Sequence, residues 1–198
     1  MIIMSGIYAI ILAAGESKRM GFPKMLLPFN GITMLENVIR NVEGSIVENS
    51  LIVLGAERVA LTELLSKSSV TYCFNDNYKD GMLSSVQCGF RNLPSDFEAA
   101  LVFQGDQPFI SSKVINMVIE GYRSSGKGIV IPVYEKKRGH PILIDRKYLK
   151  EIETLDNQEG LRSLSRKFSE DVMEVETDDR GILRDFDTYD EYKMNLIK

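Results

Sequence analysis

The 198-residue chain has little from which to build a metal centre or a nucleophilic triad: one histidine, His140, and two cysteines, Cys73 and Cys88. That excludes a structural zinc site assembled from Cys and His in the usual ways. Nor can any Ser or Cys nucleophile be given a positioned histidine base. The cysteines follow no paired spacing and each sits in an apolar setting, so buried free thiols in a reducing compartment are expected. There is no excess of positive charge, with 24 Lys and Arg against 28 Asp and Glu. A general nucleic-acid binder would carry a basic field, so none is expected as a partner. A local basic site for a small phosphorylated ligand stays compatible. No apolar run is long enough to span a bilayer. The run at residues 7–14 has the look of a signal peptide, but no cation precedes it, the first lysine being Lys18. A cytoplasmic protein with no membrane partner is therefore expected. Repeats, linkers and low-complexity segments are also missing, which leaves one domain over residues 1–198. Neither G-x-x-x-x-G-K-[ST] nor G-x-G-x-x-G occurs.

What the chain does have is concentrated at residues 7–28, IYAIILAAGESKRMGFPKMLLP. The unbroken apolar run, rich in Ile, reads as a strand buried on both faces. It ends at Leu12, Ala13, Ala14 and Gly15, small residues that bring backbone close to whatever lies above the sheet. Gly15 has no side chain to block that approach, and N–H groups there can point at an anion. Arg19 adds a rigid five-donor fork suited to phosphate, and Lys24 a mobile point charge. Together they make a phosphate-cradling loop.

Downstream, Gly31 closes a turn, and Thr33 with Glu36 forms a capping box ahead of Leu35, Val38, Ile39 and Val42 at helical spacing. A short strand at 51–54, a weaker helix at 57–66 and a strand at 70–74 complete a βαβαβ pattern. Such a pattern implies parallel strands joined by right-handed crossovers, in an α/β fold. Ligands then bind beyond the carboxyl ends of the strands. A helix follows Gly81, a strand covers 99–103, and an amphipathic helix covers 111–123. Strands are expected at 128–133, 141–144, 172–175 and 182–187, with a helical or loop-rich stretch between 146 and 168.

Several polar residues fall at strand ends. Asp106, between Gly105 and Pro108, is either an Asx-turn residue or a hard oxygen ligand for Mg²⁺. Ser84 and Ser85 open the helix after Gly81, where serine caps helices without further function. Arg138 and His140 lie in a cationic loop that usually stays solvated, and a lone histidine is more often structural. Arg162 starts what reads equally well as a capped surface helix. In an alternating strand, Asp185 and Asp187 share a face, which is costly unless a cation joins them.

The string LAAG, KRMG, K and LLP resembles the signature of nucleotidyltransferases built on the sugar-nucleotide transferase fold, and among them the MocA-like branch. GMLSSV, GDQP, RGHP, NQEGLR and DFDT resemble further segments of that family, so the likeness runs through nearly the whole chain. Tyr189 replaces the proline usual after the last of these. The resemblance implies a three-layer α/β/α sandwich around a mixed, mainly parallel sheet. It implies transfer of CMP from CTP to a molybdopterin-type acceptor and release of pyrophosphate; hand-over of the product to a molybdoenzyme could be an added task, on which the sequence is silent. It makes Arg19, Lys24 and Asp106 the catalytic residues and Mg²⁺ the cofactor, held by Asp106 and Asp185 with Asp187 as a further partner. It places the nucleotide on Leu12 to Gly15, Arg19, Lys24, Gly81, Ser84, Ser85 and Asp106, and the acceptor near Arg138, His140 and Arg162. LAAG is the form associated with CTP users. A sugar or polyol phosphate acceptor, and a non-catalytic cofactor carrier, are the other readings; the retained Arg19, Lys24, Asp106 and Asp185 favour an enzyme.

Overall fold

The computed structural model describes residues 6–157, 159–186 and 188–196. In chain order it contains β1 (Ile7–Ala13), a hairpin of β2 (Pro28–Phe29) and β3 (Ile32–Thr33), α1 (Met34–Glu43), β4 (Asn49–Leu54), α2 (Arg58–Leu65) and β5 (Thr71–Phe74). There follow α3 (Met82–Arg91), β6 (Ala99–Gln104), α4 (Ser112–Ser125), β7 (Ile129–Tyr134), β8 (Lys137–Arg138) and β9 (Ile142–Asp145). The chain ends with α5 (Leu149–Thr154), α6 (Arg162–Lys167), β10 (Val172–Glu176) and α7 (Tyr189–Leu196).

β1 is the axis of the molecule, paired in parallel with β4 on one side and β6 on the other. Its side chains alternate between two cores. Ile7, Ala9, Ile11 and Ala13 pack with Leu35, Val38, Leu61, Val114 and Val118. Ile10 and Leu12 pack with Leu83, Val86, Phe90, Ile152 and Leu164 on the opposite face. Burial on both faces is why the strand reads as a continuous apolar run and not as an alternating one. The main sheet has the order β10-β7-β9-β6-β1-β4-β5, with β8 added to β7. The expected parallel run β1, β4, β5 is present, and β10 lies parallel to β7. β9 runs antiparallel to both β6 and β7, which makes the sheet mixed. No helix among the described residues is long and apolar enough to cross a membrane.

The local signals near the first loop are realised. Thr33 Oγ1 accepts from Glu36 N at 3.2 Å and Glu36 Oε2 accepts from Thr33 N at 2.8 Å, a complete capping box for α1. Asn30 and Gly31 both adopt positive φ, 49° and 85°, as a two-residue hairpin turn requires.

The expected strand at 182–187 is not there. Arg180–Leu183 is a 3-10 turn, with Asp179 Oδ1 accepting from Gly181 N at 2.8 Å. A Cβ on Gly181 would lie 2.5 Å from the Phe109 carbonyl oxygen, so the turn is held flat against a neighbouring loop. The strand alternation that put Asp185 and Asp187 on one face therefore does not apply, and Asp187 lies outside the described residues. Helix α7 then follows, unforeseen from the sequence. A third cluster of Met20, Phe29, Met34, Phe186 and Tyr192 fastens this C-terminal segment to the first loop and the hairpin. Tyr192 Oη donates to the Pro28 carbonyl at 2.6 Å.

Helix α3 lies tight on the sheet because Gly89 faces it. A Cβ there would sit 2.5 Å from Ile10 Cγ2 and 3.3 Å from Val53 Cγ2, both on fully buried branched side chains. Gly89→Val is expected to cost about 1–3 kcal/mol through overpacking. Urea denaturation of the two proteins measures it, and equal midpoints would contradict this packing.

Candidate active site

The carboxyl ends of β1, β4 and β6 converge at one edge of the sheet, and Arg19, Lys24, Ser85, Asp106, His140 and Arg162 line cavities there. The loop after β1 is organised by Ser17, which the sequence reading passed over. Its φ is +51°, its carbonyl accepts from Met20 N at 2.9 Å and Gly21 N at 3.2 Å, and its Oγ accepts from Lys24 N at 3.2 Å. These bonds turn the loop back toward the sheet. At Gly15 a Cβ would meet nothing within 4 Å, so the backbone borders open space. β4 leaves the sheet close by, and only glycine fits at position 55. A Cβ there would lie 2.6 Å from the Ala14 carbonyl oxygen and 2.9 Å from Tyr78 Cβ.

Lys24 and Asp106 meet at the centre. Lys24 Nζ donates to Asp106 Oδ2, and 3.5 Å away lies the carbonyl oxygen of Phe186. Both side chains are largely buried, at 16% and 7% exposure. The Phe186 contact brings the backbone beside Asp185 to the same point, while the Asp185 side chain is exposed. Asp106 Oδ2 is the carboxylate oxygen the structure places at that point. Among the described residues there is no group of three or more His, Cys, Asp or Glu that could hold a metal ion. Mg²⁺ commonly uses one or two carboxylates and completes its shell with phosphate oxygens and water, so this donor set suits it only together with a substrate.

Three adjoining cavities share these residues. A shallow one of about 160 Å³ is lined by Gly15, Ser17, Lys18, Arg19, Met20 and Lys24. The next, about 200 Å³, also borders Gly15 and Lys24, and adds Ala14, Tyr78, Ser85 and Asp106. The third, about 530 Å³, shares Leu12, Met82 and Gln104 with the second and reaches Arg138, His140 and Arg162. A groove of about 610 Å³ between Lys113 and Asp179 lies apart from all of them.

The remaining candidates take distinct positions. Ala13 points into the core on the opposite face, leaving Leu12 and Ala14 on the cavity side. Gly81 precedes α3 with φ +105°, and no side chain caps that helix. Ser84 and Ser85 are buried instead, accepting from Asn75 Nδ2 at 2.9 Å and 3.0 Å. Ser84 Oγ also donates back to loop carbonyls, whereas Ser85 lines the second cavity. Arg138 lines the third cavity while its Nε donates to Glu174 Oε1 at 2.6 Å. Arg162 starts α6 after the turn at Gly160, whose φ is +63°.

His140 lies between Gln104 and the third cavity, 3.4 Å from Gln104 Nε2. Its pKa falls from 6.5 to about 4 through burial, opposed by Asp106 and reinforced by Arg162. The ring is therefore neutral near pH 7, and Gln104 Nε2 donates to its Nε2. Gln104 is a second residue the sequence reading missed; as the last residue of β6 it borders two cavities.

Residues 9–172 match the model of the MobA-like NTP transferase domain. A probable molybdenum cofactor guanylyltransferase of Methanosarcina acetivorans is 32% identical over 184 residues, covering 88% of this chain and 80% of that protein. The molybdenum cofactor cytidylyltransferase of Escherichia coli K12 is 28% identical over 190 residues, covering 96% and 95%. In fold, the chain is similar to Rv0371c from Mycobacterium tuberculosis H37Rv, with a TM-score of 0.86 at 23% identity over 98% and 99% of the two chains.

Because burial favours the neutral ring, the unfolded chain protonates His140 near pH 6.5 and the folded chain resists until about pH 4. The stability this gives is complete above pH 6.5 and is lost as pH falls toward 4. His140→Gln should flatten the stability–pH curve over that window by about 1–3 kcal/mol, discounted for a ring that borders a cavity. Urea midpoints across the window read the difference, and parallel curves for the two proteins would rule out a neutral buried imidazole.

Proposed function

The chain belongs to the MobA-like NTP transferase family, and on that premise we propose that it moves CMP from CTP to a molybdopterin-type molybdenum cofactor, releasing pyrophosphate. The observation that carries this reading is the Lys24–Asp106 pair at the junction of the adjoining cavities. The triphosphate lies along the loop of Gly15 and Arg19, the nucleoside in the cavity beneath Ala14, and the acceptor in the larger cavity beside His140. An oxygen of the acceptor phosphate attacks the α-phosphorus, and the bond to the β-phosphate breaks. That phosphate is already ionised near neutral pH, so no general base is needed, in keeping with a His140 that is neutral and weakly basic. The work is alignment and charge neutralisation.

Arg19 holds the departing pyrophosphate. Lys24 stabilises charge gathering on the α-phosphate. Asp106 and Asp185 would hold Mg²⁺, whose contribution when bound is to neutralise phosphate charge. The choice of CTP rests on the Ala14 methyl, which lies beside Gly55 and borders the second cavity. A GTP-using reading is supported by the relative named as a guanylyltransferase, at 32% identity. After transfer, the product passes to a molybdoenzyme.

Transfer of label from α-³²P-labelled CTP or GTP to molybdenum-loaded molybdopterin tests the proposal. Label is expected on the acceptor with CTP. Lys24→Ala and Asp106→Asn are each expected to slow transfer about 10²–10³-fold, the size of one preorganised electrostatic element. Transfer from GTP alone would overturn the base assignment, and wild-type rates in either variant would overturn the site.

A further inference from the structure

The transfer reaction uses neither cysteine, and the sequence gives no reason for the two to meet. Cys73 lies on β5, the edge strand, and Cys88 lies on α3. Their Sγ atoms are 3.8 Å apart. Both are free thiols, Cys88 buried and Cys73 half-buried. Cys88 packs within an apolar core cluster, and its Sγ also donates to the Phe74 carbonyl at 3.5 Å. Either sulfur can donate to the other, and Asn92 Nδ2 lies 3.8 Å from Cys88 Sγ. Hydrogen bonding from Cys73, helped by Arg91, draws Cys88 down to about 7 against the effect of burial, while Cys73 is pushed up.

The same seam between β5 and α3 carries the nucleotide cavity. Asn75, just past β5, bonds Ser84 and Ser85 in the first turn of α3. Met82 and Ser85 line the cavity from that turn, and Cys88 lies one turn further along the helix. A disulfide requires the two sulfurs to close by roughly 1.8 Å, to a bond of about 2.05 Å. That closure pulls on the wall of the cavity.

We propose that Cys73 and Cys88 form a peroxide-sensitive dithiol whose oxidation to a disulfide ties α3 to β5 and slows turnover at the adjoining site. Cys88 thiolate attacks one oxygen of hydrogen peroxide, the O–O bond breaks, and hydroxide leaves a sulfenic acid on Cys88. The Cys73 sulfur then attacks the Cys88 sulfur. The S–O bond breaks, and the departing hydroxide takes up the Cys73 proton as water. In sum, two thiols and one peroxide give one disulfide and two waters, a two-electron oxidation of the pair. The disulfide stands on the geometry alone, whereas the effect on turnover rests on the nucleotidyltransferase reading.

The test treats the full chain with hydrogen peroxide, quenches it with catalase, and reads intact mass and thiol content beside transfer activity. The expected result is a loss of about 2 Da, no titratable thiol, a peptide linking Cys73 to Cys88, and full reversal by dithiothreitol. Turnover is expected to fall about tenfold, the scale of a sub-ångström to ångström misplacement at a reacting centre, and to recover with the reductant. Cys73→Ser and Cys88→Ser should keep the basal rate and lose the reversible inhibition. A pair that stays reduced, a sulfinic acid on one cysteine, or disulfide-linked dimers would overturn the dithiol. A verified disulfide with unchanged turnover would overturn the effect on the site. If the reduced protein shows no transfer at all, the nucleotidyltransferase reading fails while the mass still decides the dithiol.

Discussion

A buried lysine–aspartate pair joins the first loop to the central sheet, and the arrangement of the site depends on it. Lys24 and Asp106 are 82 positions apart in sequence and reach each other only because β1 and β6 are neighbours in parallel register. Taking both charges out of water costs several kcal/mol per ion before their attraction is counted, so such a pair is a poor device for stability. Removing one partner leaves the other charge buried and uncompensated. A pair of this kind at the carboxyl edge of a parallel sheet is better explained by what it presents to a ligand. The Phe186 carbonyl beside Lys24 brings the C-terminal segment into the same arrangement, and the aromatic cluster beneath fixes it there.

Around that pair the charge distribution is local. The chain as a whole is acidic, at −4, yet Arg19, Lys24, Arg138 and Arg162 line a connected set of cavities. This suits a small polyanion held at one edge of the molecule. His140 illustrates how environment overrides residue type. Placed in a cationic loop, it is held neutral by burial, with Arg162 adding to the effect. It can orient a ligand by hydrogen bonding.

Much of this was legible in the sequence because it is encoded locally. The apolar run of β1, the Thr33–Glu36 capping box and the turn at Gly31 each follow from a few adjacent residues. Gly15 and Asp106 stand just past strand ends, where an α/β sheet binds ligands, and Lys24 follows in the loop after β1. What was not legible depends on pairing between distant segments. The antiparallel insertion of β9 between β6 and β7 leaves no mark on its short apolar stretch. The segment at 182–187 has strand-like alternation, but the Asp179 cap and the contact of Gly181 with Phe109 turn it into a 3-10 turn. Helix α7 was missed because aromatic contacts of Tyr189 and Tyr192, not a regular apolar stripe, hold it in place. Ser17 acts through backbone conformation, and Gln104 through its place at the end of β6, and neither leaves a motif. The meeting of Cys73 and Cys88 needs the packing of α3 on the sheet edge.

We propose that Asp106 joins a metal ion only when a nucleotide supplies the remaining oxygens. Calorimetric titration of CTP into the protein, with Mg²⁺ and with EDTA, tests this most directly when repeated on Asp106→Asn. Mg²⁺ is expected to tighten CTP binding by about tenfold or more in the wild type, a coupling of about 1–3 kcal/mol, and the coupling is expected to vanish in the variant. An equal effect of Mg²⁺ on both proteins would contradict the role given to Asp106.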